Sequence, residues 1–425
     1  MIKHSVFPAR NGPLRGVPIP LNVQSLNNWS IRLIHSTGFS FITLLQPEVD
    51  TKAQLYYTGY QWRDTPYSQS SVPPGPNERD VITTTSAPNT RLPAMISLPG
   101  YHPMNLTYSR DSTTNYHTPE TAYLSPLMIT GDDMGGKSDN ESNIRKLDPL
   151  IQVECGRQHV MGMSGQGRIW VWDAGIPGHS AVELDIAKVI KSFSGGKLLR
   201  ATKIRCSWNA NSCYVPGLGI IVWNGRESVT EEGIKKVEFG QWAQLVPNTQ
   251  YVKDYACVFE DIVYIDSMGR NINHYHEGKT EAISSVGLDL LSPHKEDVKL
   301  DQDEEEYSRL LACYDKFIAT TTYSRTVVYN VREKSGVTIE LPVEAAPLVD
   351  IAMGDYHYLA LAADGELYAW GHESRGCGCL GVEAQRTNQD LNIPKPKLVQ
   401  KPVPGKWLAV TAGGWQSAGI FVEDV

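Results

Sequence analysis

A phosphate-binding loop is the first chemistry that residue types and spacing suggest in this sequence. Residues 131–138, Gly-Asp-Asp-Met-Gly-Gly-Lys-Ser, satisfy the phosphate-cradling pattern letter for letter. A working loop of this kind follows a buried strand and opens a helix whose N-terminus holds the phosphates. Residues 139–148 have no apolar helical face, and Asp132 and Asp133 would repel a triphosphate. We therefore interpret residues 130–148 as a loop between repeats.

Metal ligation and acid–base catalysis are the other candidate chemistries. Cys377 and Cys379, with His372 nearby, could ligate a metal, but no second Cys/His pair lies at ligand spacing. His159 and His357 could act as bases, yet each follows a glycine by three residues in two similar segments. A shared position of this kind indicates a structural histidine. We predict no catalytic residue, no cofactor and no metal, and we expect a non-enzymatic protein.

The elements that position these histidines are repeated along the chain. Gly354 and Trp370 frame two short strands that are joined by an Asp364-Gly365 turn, which is a hairpin signal. Gly156 and Trp172 frame a second copy with the same distance of 16 residues between the two framing positions. Weaker copies pair Ser207 with Trp223, Val258 with His274, and Cys313 with Tyr329.

The opening positions of all copies recur at a blade-sized period of about 50 residues. They are residues 38, 100, 156, 207, 258, 313, 354 and 414. Each unit would supply a small sheet that cannot bury both of its faces alone, so neighbouring sheets must stack around a centre. Helical signals are sparse, and a short helix is expected only within Ala181–Phe193.

The sequence therefore predicts an all-β fold, a seven-bladed β-propeller that forms a single domain over residues 1–425. Eight openings give seven blades because the last copy, which ends at Val425, is too short to form a blade alone. The N- and C-terminal segments are expected to complete one sheet and close the ring, which removes free edges. A Pro/Ser/Thr-rich stretch at about residues 64–94 predicts a loop excursion.

Charge and composition exclude several classes of partner. The net charge is −8 and no basic tail is present, so no nucleic-acid partner is expected. No apolar window is long enough for a membrane span, and seven cysteines without a secretion signal favour a cytoplasmic or nuclear protein, or both. The acidic run 301–306 is interpreted as a solvated stretch, with a docking strip for a basic partner as the alternative.

One unit resembles a known repeat closely. It resembles the regulator-of-chromosome-condensation repeat through Gly354-x-x-His357, Asp364-Gly365, Tyr368-x-Trp370-Gly371 and Gly378-x-Leu380-Gly381. The degenerate copies are similar, more loosely, to the propeller half of fungal F-box proteins, which select substrates for a ubiquitin ligase. No F-box precedes the first repeat, so ubiquitin-ligase subunits are expected to bind only through a segment absent here.

The resemblance implies a protein–protein interaction platform, most directly a substrate-recognition module for ubiquitin-dependent turnover. An alternative is a guanine-nucleotide exchange factor for a small GTPase, which the fold permits but does not establish. A third interpretation is a scaffold for a cytoskeletal or membrane-traffic complex. The expected partner in each case is another protein, such as a degradation substrate.

The resemblance also implies where a partner would bind. In the family's nucleotide-exchange member, the two positions after each opening residue contact the small GTPase. Aromatic side chains with Arg and a few carboxylates, as found at these positions, are typical of binding hot spots. Packing between blades is the favoured alternative for Phe39 and Phe259, and both interpretations stay open for Trp208, Tyr356 and Trp415. The candidate contact residues are Tyr101, His102, Arg157, Gln158, Trp208, Asn209, Glu260, Tyr314, Asp315, Asp355, Tyr356, Trp415 and Gln416.

Overall fold

A computed structural model describes the strands of the first 149 residues and most of the chain that follows. The described residues are 2–7, 19–20, 29–36, 40–47, 54–59, 125–126, 150–156, 159–173, 182–208, 210–224, 243–283, 305–323, 325–373, 379–382, 390–401, 404–414 and 416–423. The loops predicted at residues 64–94 and 130–148 lie outside this set.

The described strands form seven four-stranded antiparallel sheets, which we number 1 to 7. Sheet 1 joins the two ends of the chain: β1 (Ile2–Phe7) and β2 (Ile19–Pro20) with β27 (Gly405–Gly413) and β28 (Gln416–Glu423). Sheet 2 contains β3 (Trp29–Ser36), β4 (Ser40–Pro47), β5 (Gln54–Gly59) and β6 (Ser125–Pro126). Sheet 3 contains β7 (Leu150–Cys155), β8 (His159–Ser164), β9 (Ile169–Asp173) and β10 (Val182–Leu184).

Sheets 4 to 7 follow in chain order, each with its strands in sequence. Sheet 4 contains β11 (Lys203–Cys206), β12 (Ala210–Val215), β13 (Gly219–Asn224) and β14 (Gln244–Leu245). Sheet 5 contains β15 (Asp254–Val258), β16 (Asp261–Ile265), β17 (Ile272–His276) and β18 (Lys279–Ala282). Sheet 6 contains β19 (Tyr307–Cys313), β20 (Lys316–Thr321), β21 (Thr326–Asn330) and β22 (Ser335–Thr338). Sheet 7 contains β23 (Leu348–Met353), β24 (His357–Ala362), β25 (Leu367–Glu373) and β26 (Leu391–Leu398).

The first strands of neighbouring sheets contact one another and form an inner layer. Strand β15 contacts β11 and β19, β23 contacts β19 and β27, and β27 also contacts β3. The fourth strands lie at the outer edges of their sheets. Pro394 and Pro396 fit this arrangement because they lie in the outer strand β26, where a missing backbone N–H is tolerated. The all-β prediction is confirmed by this architecture.

The 16-residue frame corresponds to the second and third strands of a sheet. The residue four positions after the opening pairs with the closing aromatic: Val160 with Trp172, Asn211 with Trp223, Phe317 with Tyr329, and Tyr358 with Trp370. Sheet 5 differs by one residue, because Val263 rather than Ile262 lies opposite His274.

Opening glycines are required where a histidine follows three residues later. A Cβ on Gly156 would lie 2.1 Å from His159 Cε1, and a Cβ on Gly354 would lie 2.2 Å from His357 Cε1. In sheet 4 the same positions hold Ser207 and Ala210, so the smaller second residue leaves room for a side chain at the first. Both histidines are buried and bridge to the next sheet, His159 Nε2 at 2.5 Å from Asn211 Oδ1 and His357 Nε2 at 2.7 Å from Ser417 Oγ.

The hydrophobic core lies between sheets. Phe317 and Tyr307 of sheet 6 pack with Val263 of sheet 5, and Trp407 and Phe421 of sheet 1 pack with Leu367, Leu359 and Cys379 of the sheet 7 region. Burying an aromatic or aliphatic side chain of this size contributes about 1.5–3 kcal/mol. Each sheet is therefore stabilised chiefly by its neighbours, as expected for stacked repeats.

Polar side chains on the first strands also link consecutive sheets. The Gln152 amide bonds the backbone of Ile204 in both directions, at 2.8 and 3.0 Å. Asp254, only 4% exposed, accepts from Lys203 Nζ on the preceding sheet and from Leu310 N, at 2.9 Å, on the following one. Arg205 pairs with Glu154 and donates to the Tyr255 carbonyl. These bonds join residues about one repeat apart and hold the sheets in register.

The helix expected within Ala181–Phe193 is shorter than the apolar pattern suggested. Helix α1 spans Ile186–Phe193, and Asp185 caps it by accepting from the Lys188 N–H at 3.2 Å. Residues Val182–Leu184 instead form β10, which pairs with β9 as the outer strand of sheet 3. The helix buries Ile186, Val189 and Ile190 against sheets 3 and 4.

Candidate partner-binding face

The turns at one end of the sheets hold the candidate contact residues. In four antiparallel strands, the turn between the first and second strands and the turn between the third and fourth strands lie at the same end. We call this end of sheets 4 to 7 the hairpin face. It includes the two-residue turns Phe259-Glu260 and Tyr314-Asp315, where Val258 pairs with Asp261 and Cys313 pairs with Lys316.

The structure brings several of the predicted contact residues to this face. Trp208, Glu260, Tyr314, Asp315, Asp355 and Tyr356 are described there, on four consecutive sheets. Gln416 begins β28, but its side chain lies outside the description. The remaining candidates, Tyr101, His102, Arg157, Gln158, Asn209 and Trp415, lie outside the described residues, so their role stays a prediction.

Three aromatic rings from three consecutive sheets form one cluster on the hairpin face. The Trp208 and Tyr314 ring centroids are 5.0 Å apart at an interplanar angle of 52°. The Phe259 ring meets Tyr314 edge to face, with centroids 5.7 Å apart. All three side chains are half-buried, so they pack on one another between sheets and still reach solvent. Trp208 can therefore pack between sheets and also contact a partner, so the two interpretations left open for it are compatible.

Phe259 and Tyr314 have an unusual backbone conformation. Both have φ of 55°, a left-handed value that favours glycine, and Gly414 has φ of 53° at the equivalent turn of sheet 1. An L-residue in this region costs roughly 1–2 kcal/mol. Strain of this kind persists where surrounding contacts over-determine it, and it concentrates at binding and catalytic sites. The two aromatics are thus held at the turns at a cost to the fold.

Arg332 completes the aromatic cluster, and the sequence analysis missed it. Its guanidinium carbon lies 5.3 Å from the Phe259 ring centroid and 5.2 Å from that of Tyr314. Arg332 belongs to the turn between β21 and β22, which the frame of opening residues does not include. The antiparallel order alone would have indicated that this turn shares the face.

A second group of aromatic and cationic side chains lies on sheets 6 and 7. Tyr356 is 42% exposed, and Lys316 Nζ lies 5.9 Å from its ring and 6.0 Å from that of Tyr358. Tyr358 in turn stacks on Trp370 at 5.2 Å. Asp355 is only 9% exposed: its carboxylate accepts from the Cys313 thiol at 3.4 Å and its N–H donates to the Gly414 carbonyl at 3.0 Å. Asp355 therefore packs between sheets, whereas Tyr356 is presented to solvent.

Carboxylates near the hairpin face contribute to the pKa shifts of three of its side chains. Burial, Asp355 and Asp315 raise the pKa of Tyr356 above its usual value. Burial, with contributions from Cys313, Asp315 and Glu333, raises the pKa of Tyr358 to about 12. On sheet 5, the hydrogen bond that His276 donates to Asp261, with the charges of Glu277 and Glu260, raises the pKa of His276. Titrating groups on sheets 5 and 7 thus respond to nearby negative charge.

Within the acidic run 301–306, Glu305 differs from the solvated stretch that was expected. Residues 301–304 lie outside the described part of the chain. Glu305 is only 4% exposed and pairs with Arg325, and Glu306 pairs with Lys253. These last two carboxylates therefore hold the connection between sheets 5 and 6 at the end opposite the hairpin face.

The part of the chain that the structure describes shows neither a membrane-spanning helix nor a metal-binding cluster. There, no helix has the length and apolarity to cross a membrane. In the same residues, no group of three or more His, Cys, Asp and Glu side chains has a geometry that could hold a metal.

The fold and its repeats define an RCC1-like β-propeller. A family profile described as "Regulator of chromosome condensation (RCC1) repeat" matches residues 348–377, the first three strands of sheet 7 and the four residues that follow them in the sequence. Among solved structures, Prp20p from Saccharomyces cerevisiae superposes with a TM-score of 0.57 at 10% identity, covering 100% of this chain and 92% of that one. Yeast RCC1 (Prp20) bound to Kap60 gives the same TM-score at 8% identity, covering 100% and 89%. At this identity the likeness concerns the fold.

Two curated proteins give the more particular resemblance, which is to fungal F-box proteins. SCF-associated factor 1 from Saccharomyces cerevisiae is 27% identical over 313 residues, 68% of this chain and 44% of its own length. F-box protein pof9 from Schizosaccharomyces pombe is 22% identical over 302 residues, 66% of this chain and 60% of its own length. The match thus spans about half of each relative. It confirms the resemblance inferred from the degenerate repeats.

Proposed function

We propose that this chain is a non-enzymatic substrate-recognition module for ubiquitin-dependent protein turnover, and that it binds substrates through the hairpin face. The observation that carries the proposal is the aromatic cluster of Trp208, Phe259 and Tyr314 on a chain similar to an SCF-associated factor and an F-box protein. Large rings at half-buried positions give contact area at a low cost in side-chain entropy. Ubiquitin-ligase subunits would bind elsewhere, which leaves this face for the substrate.

The strained turns support a role in binding rather than in folding. Phe259 and Tyr314 occupy φ values that glycine would adopt without strain, and the equivalent turn of sheet 1 has Gly414 there. A fold selected for stability alone would favour glycine at all three turns. Each aromatic residue costs the fold roughly 1–2 kcal/mol through its left-handed backbone conformation. We infer that the two rings are retained because they bind a partner.

We further propose that the seven sheets are the blades of one closed ring over residues 1–425. Strand β1 pairs with β28 from Ile2 opposite Val422 to Phe7 opposite Ser417, so sheet 1 contains both ends of the chain. Strand β27 of that sheet contacts β3 on one side and β23 on the other. A closed ring would fix the turns of sheets 4 to 7 relative to one another and present them as a single rigid face.

Affinity capture with matched variants tests the proposed function. The full-length tagged chain and its Tyr314→Ala variant are expressed in cells that lack the gene, and captured proteins are identified by mass spectrometry. Tyr323→Ala is the matched control, because Tyr323 is an exposed tyrosine in a turn of the same sheet at the opposite end. We expect a set of proteins that is lost with Tyr314→Ala, retained with Tyr323→Ala, and longer-lived in cells without the gene.

Two outcomes would contradict the proposal. One is that every protein whose capture depends on Tyr314 has the same half-life in cells with and without the gene, which would remove the link to turnover. Capture of a small GTPase whose nucleotide release the purified chain accelerates would instead establish an exchange factor.

A further inference from the structure

We propose that the hairpin face recognises an extended basic segment of its partner, whose Lys and Arg side chains lie on the rings of Tyr314 and Tyr356 beside the carboxylates of Glu260 and Asp315. This inference rests on the proposed function, because it names the kind of substrate segment that the face would accept. Three features of the face support it: a repeated pairing of ring and carboxylate, cations of the chain that lie over the rings, and carboxylates that act on nearby titrating groups.

An aromatic residue and a carboxylate are adjacent at the first turn of three consecutive sheets. The pairs are Phe259-Glu260 in sheet 5, Tyr314-Asp315 in sheet 6 and Asp355-Tyr356 in sheet 7. The ring contacts across sheets show that these turns approach one another, since Trp208 and Tyr314 touch although they belong to sheets 4 and 6. An extended segment that crosses the face would therefore meet the same two side-chain types on each sheet in turn. A cation is the group that an aromatic face and a carboxylate both attract.

The rings of this face already hold cations of the chain itself. Arg332 lies over Phe259 and Tyr314, and Lys316 lies near Tyr356 and Tyr358, at 5.2 to 6.0 Å from the ring centroids. Within the described part of the chain, no carboxylate forms an ion pair with Arg332 or Lys316. The rings, rather than a salt bridge, therefore account for where these cations lie. A partner cation can use the same ring faces, with Arg332 as its competitor.

Carboxylates of the face act on its titrating side chains in the direction that would also favour a basic segment. Burial is the largest cause of the raised pKa of Tyr356 and Tyr358, and Asp315 adds to it in both. The hydrogen bond to Asp261 is the largest cause of the raised pKa of His276, and Glu277 and Glu260 add to it. The cationic groups that face the same region are Arg332, Lys316, Lys334 and Lys279. At these three positions the carboxylates raise the pKa in addition to burial or hydrogen bonding, so they would stabilise a cation placed beside them. A positively charged segment would thus be attracted and steered to the face.

Two labelled twelve-residue peptides, four Arg-Gly-Ser repeats and four Glu-Gly-Ser repeats, test the inference by fluorescence anisotropy with the purified full chain. We expect the Arg peptide to bind and the Glu peptide not to bind. The double variant Glu260→Gln/Asp315→Asn should weaken binding of the Arg peptide about fivefold, since an exposed ion pair contributes up to about 1 kcal/mol. Raising the salt concentration should weaken binding further.

Arg332→Ala gives the sharpest test, because it should raise the affinity for a basic partner and lower the affinity for an acidic partner. Removing Arg332 uncovers two ring faces and eliminates a competing positive charge. The Arg peptide should therefore bind about two- to fivefold more tightly. An acidic partner would lose affinity instead. Lys197→Ala and Glu344→Gln are the charge-matched controls, because both residues are exposed in connections at the opposite end of the sheets. Neither control should change binding, and thermal melting curves check that every variant is folded.

Three results would overturn the inference: binding of the Glu peptide with a loss in Arg332→Ala, binding of neither peptide, or Arg-peptide affinity unchanged in the double variant. These results are distinct from failure of the proposed function. Peptide binding is measured on the purified chain, whereas the link to turnover depends on the half-lives of captured proteins.

Discussion

The rings of Phe259 and Tyr314 meet edge to face at an interplanar angle of 89°, although the two residues lie in turns of different sheets. Each ring thus supports the other at a backbone conformation that neither favours, with φ of 55° in both turns. We therefore expect that a substitution at one of these turns can abolish partner binding while the free energy of unfolding changes little.

Tyr314→Gly should leave stability nearly unchanged and remove binding. Relief of a left-handed backbone gains roughly 1–2 kcal/mol, while loss of the aromatic pairs costs about 0.5–1.5 kcal/mol each. We expect the free energy of unfolding to change by no more than about 1 kcal/mol, while capture of partners falls to background. Urea unfolding and the capture experiment measure the two effects. A large loss of stability would show instead that the ring is chiefly structural.

Gly156→Ala should destabilise the chain through the imidazole of His159. The three atoms nearest to a Cβ at Gly156 all belong to His159, at 2.1 to 2.6 Å. Overpacking of this kind costs about 1–3 kcal/mol. In the background of His159→Ala, Gly156→Ala should cost at least about 1 kcal/mol less, because the imidazole that it would clash with is gone. Sheet 4 already has this combination, with Ser207 and Ala210 at the corresponding positions. A double-mutant cycle on urea unfolding checks this, and strict additivity of the two changes would refute it.

Asp254→Asn should be among the most destabilising polar substitutions. The buried carboxylate accepts from Lys203 Nζ, from Tyr255 N at 2.6 Å and from Leu310 N at 2.9 Å, and Arg205 lies within 3.9 Å. Removing its charge leaves Lys203 without its anionic partner and takes a second carboxylate from Arg205, which keeps Glu154, at a cost of about 3 kcal/mol. Asp350→Asn is the matched control: its bridge to Arg309 also joins two sheets but is exposed, so it should cost less than about 1 kcal/mol. Equal costs would contradict the proposed role of burial.

The His276–Asp261 pair should make stability depend weakly on pH. Because its hydrogen bond to Asp261 raises the pKa of His276, the pair stabilises the fold fully below the usual imidazole value of 6.5 and is lost as pH rises through the raised value. Burial tends to raise the pKa of Asp261, but its hydrogen bonds to His274 and His276 outweigh this and lower it, so that contribution is lost only in acid, below the usual 3.8.

His276→Gln should therefore lower the melting temperature at pH 6 and leave it nearly unchanged at pH 8.5. The effect should correspond to about 0.5 kcal/mol or less, because His276 is 57% exposed and solvent screens the pair. Melting curves between pH 5.5 and 8.5 measure it. An equal loss at both ends of this range would show that the charge of His276 is not involved.

Local sequence signals predicted the sheets that keep the repeat. The Asp364-Gly365 turn joins β24 to β25 as expected, and Gly365 has φ of 84°. One further signal was present but unused: Cys155, Cys206 and Cys257 are 51 residues apart and lie at or next to the ends of the first strands of three consecutive sheets. By contrast, the apolar pattern over Ala181–Phe193 predicted one helix where Asp185 separates a strand from a helix, since a capping side chain overrides apolar periodicity.

The sequence by itself determined the repeat, the strand pairs and the positions of the turns, because these depend on contacts between residues close along the chain. Only the tertiary structure decided which side chains meet across sheets. Trp208 and Tyr314 touch across two repeats, and Arg332 reaches Phe259 from a turn outside the repeat signature. The same holds within one turn, where Tyr356 is presented to solvent and Asp355 is buried against Cys313. The physical reason is that burial and ring contacts on this face depend on how neighbouring sheets stack, which no local pattern of residues specifies.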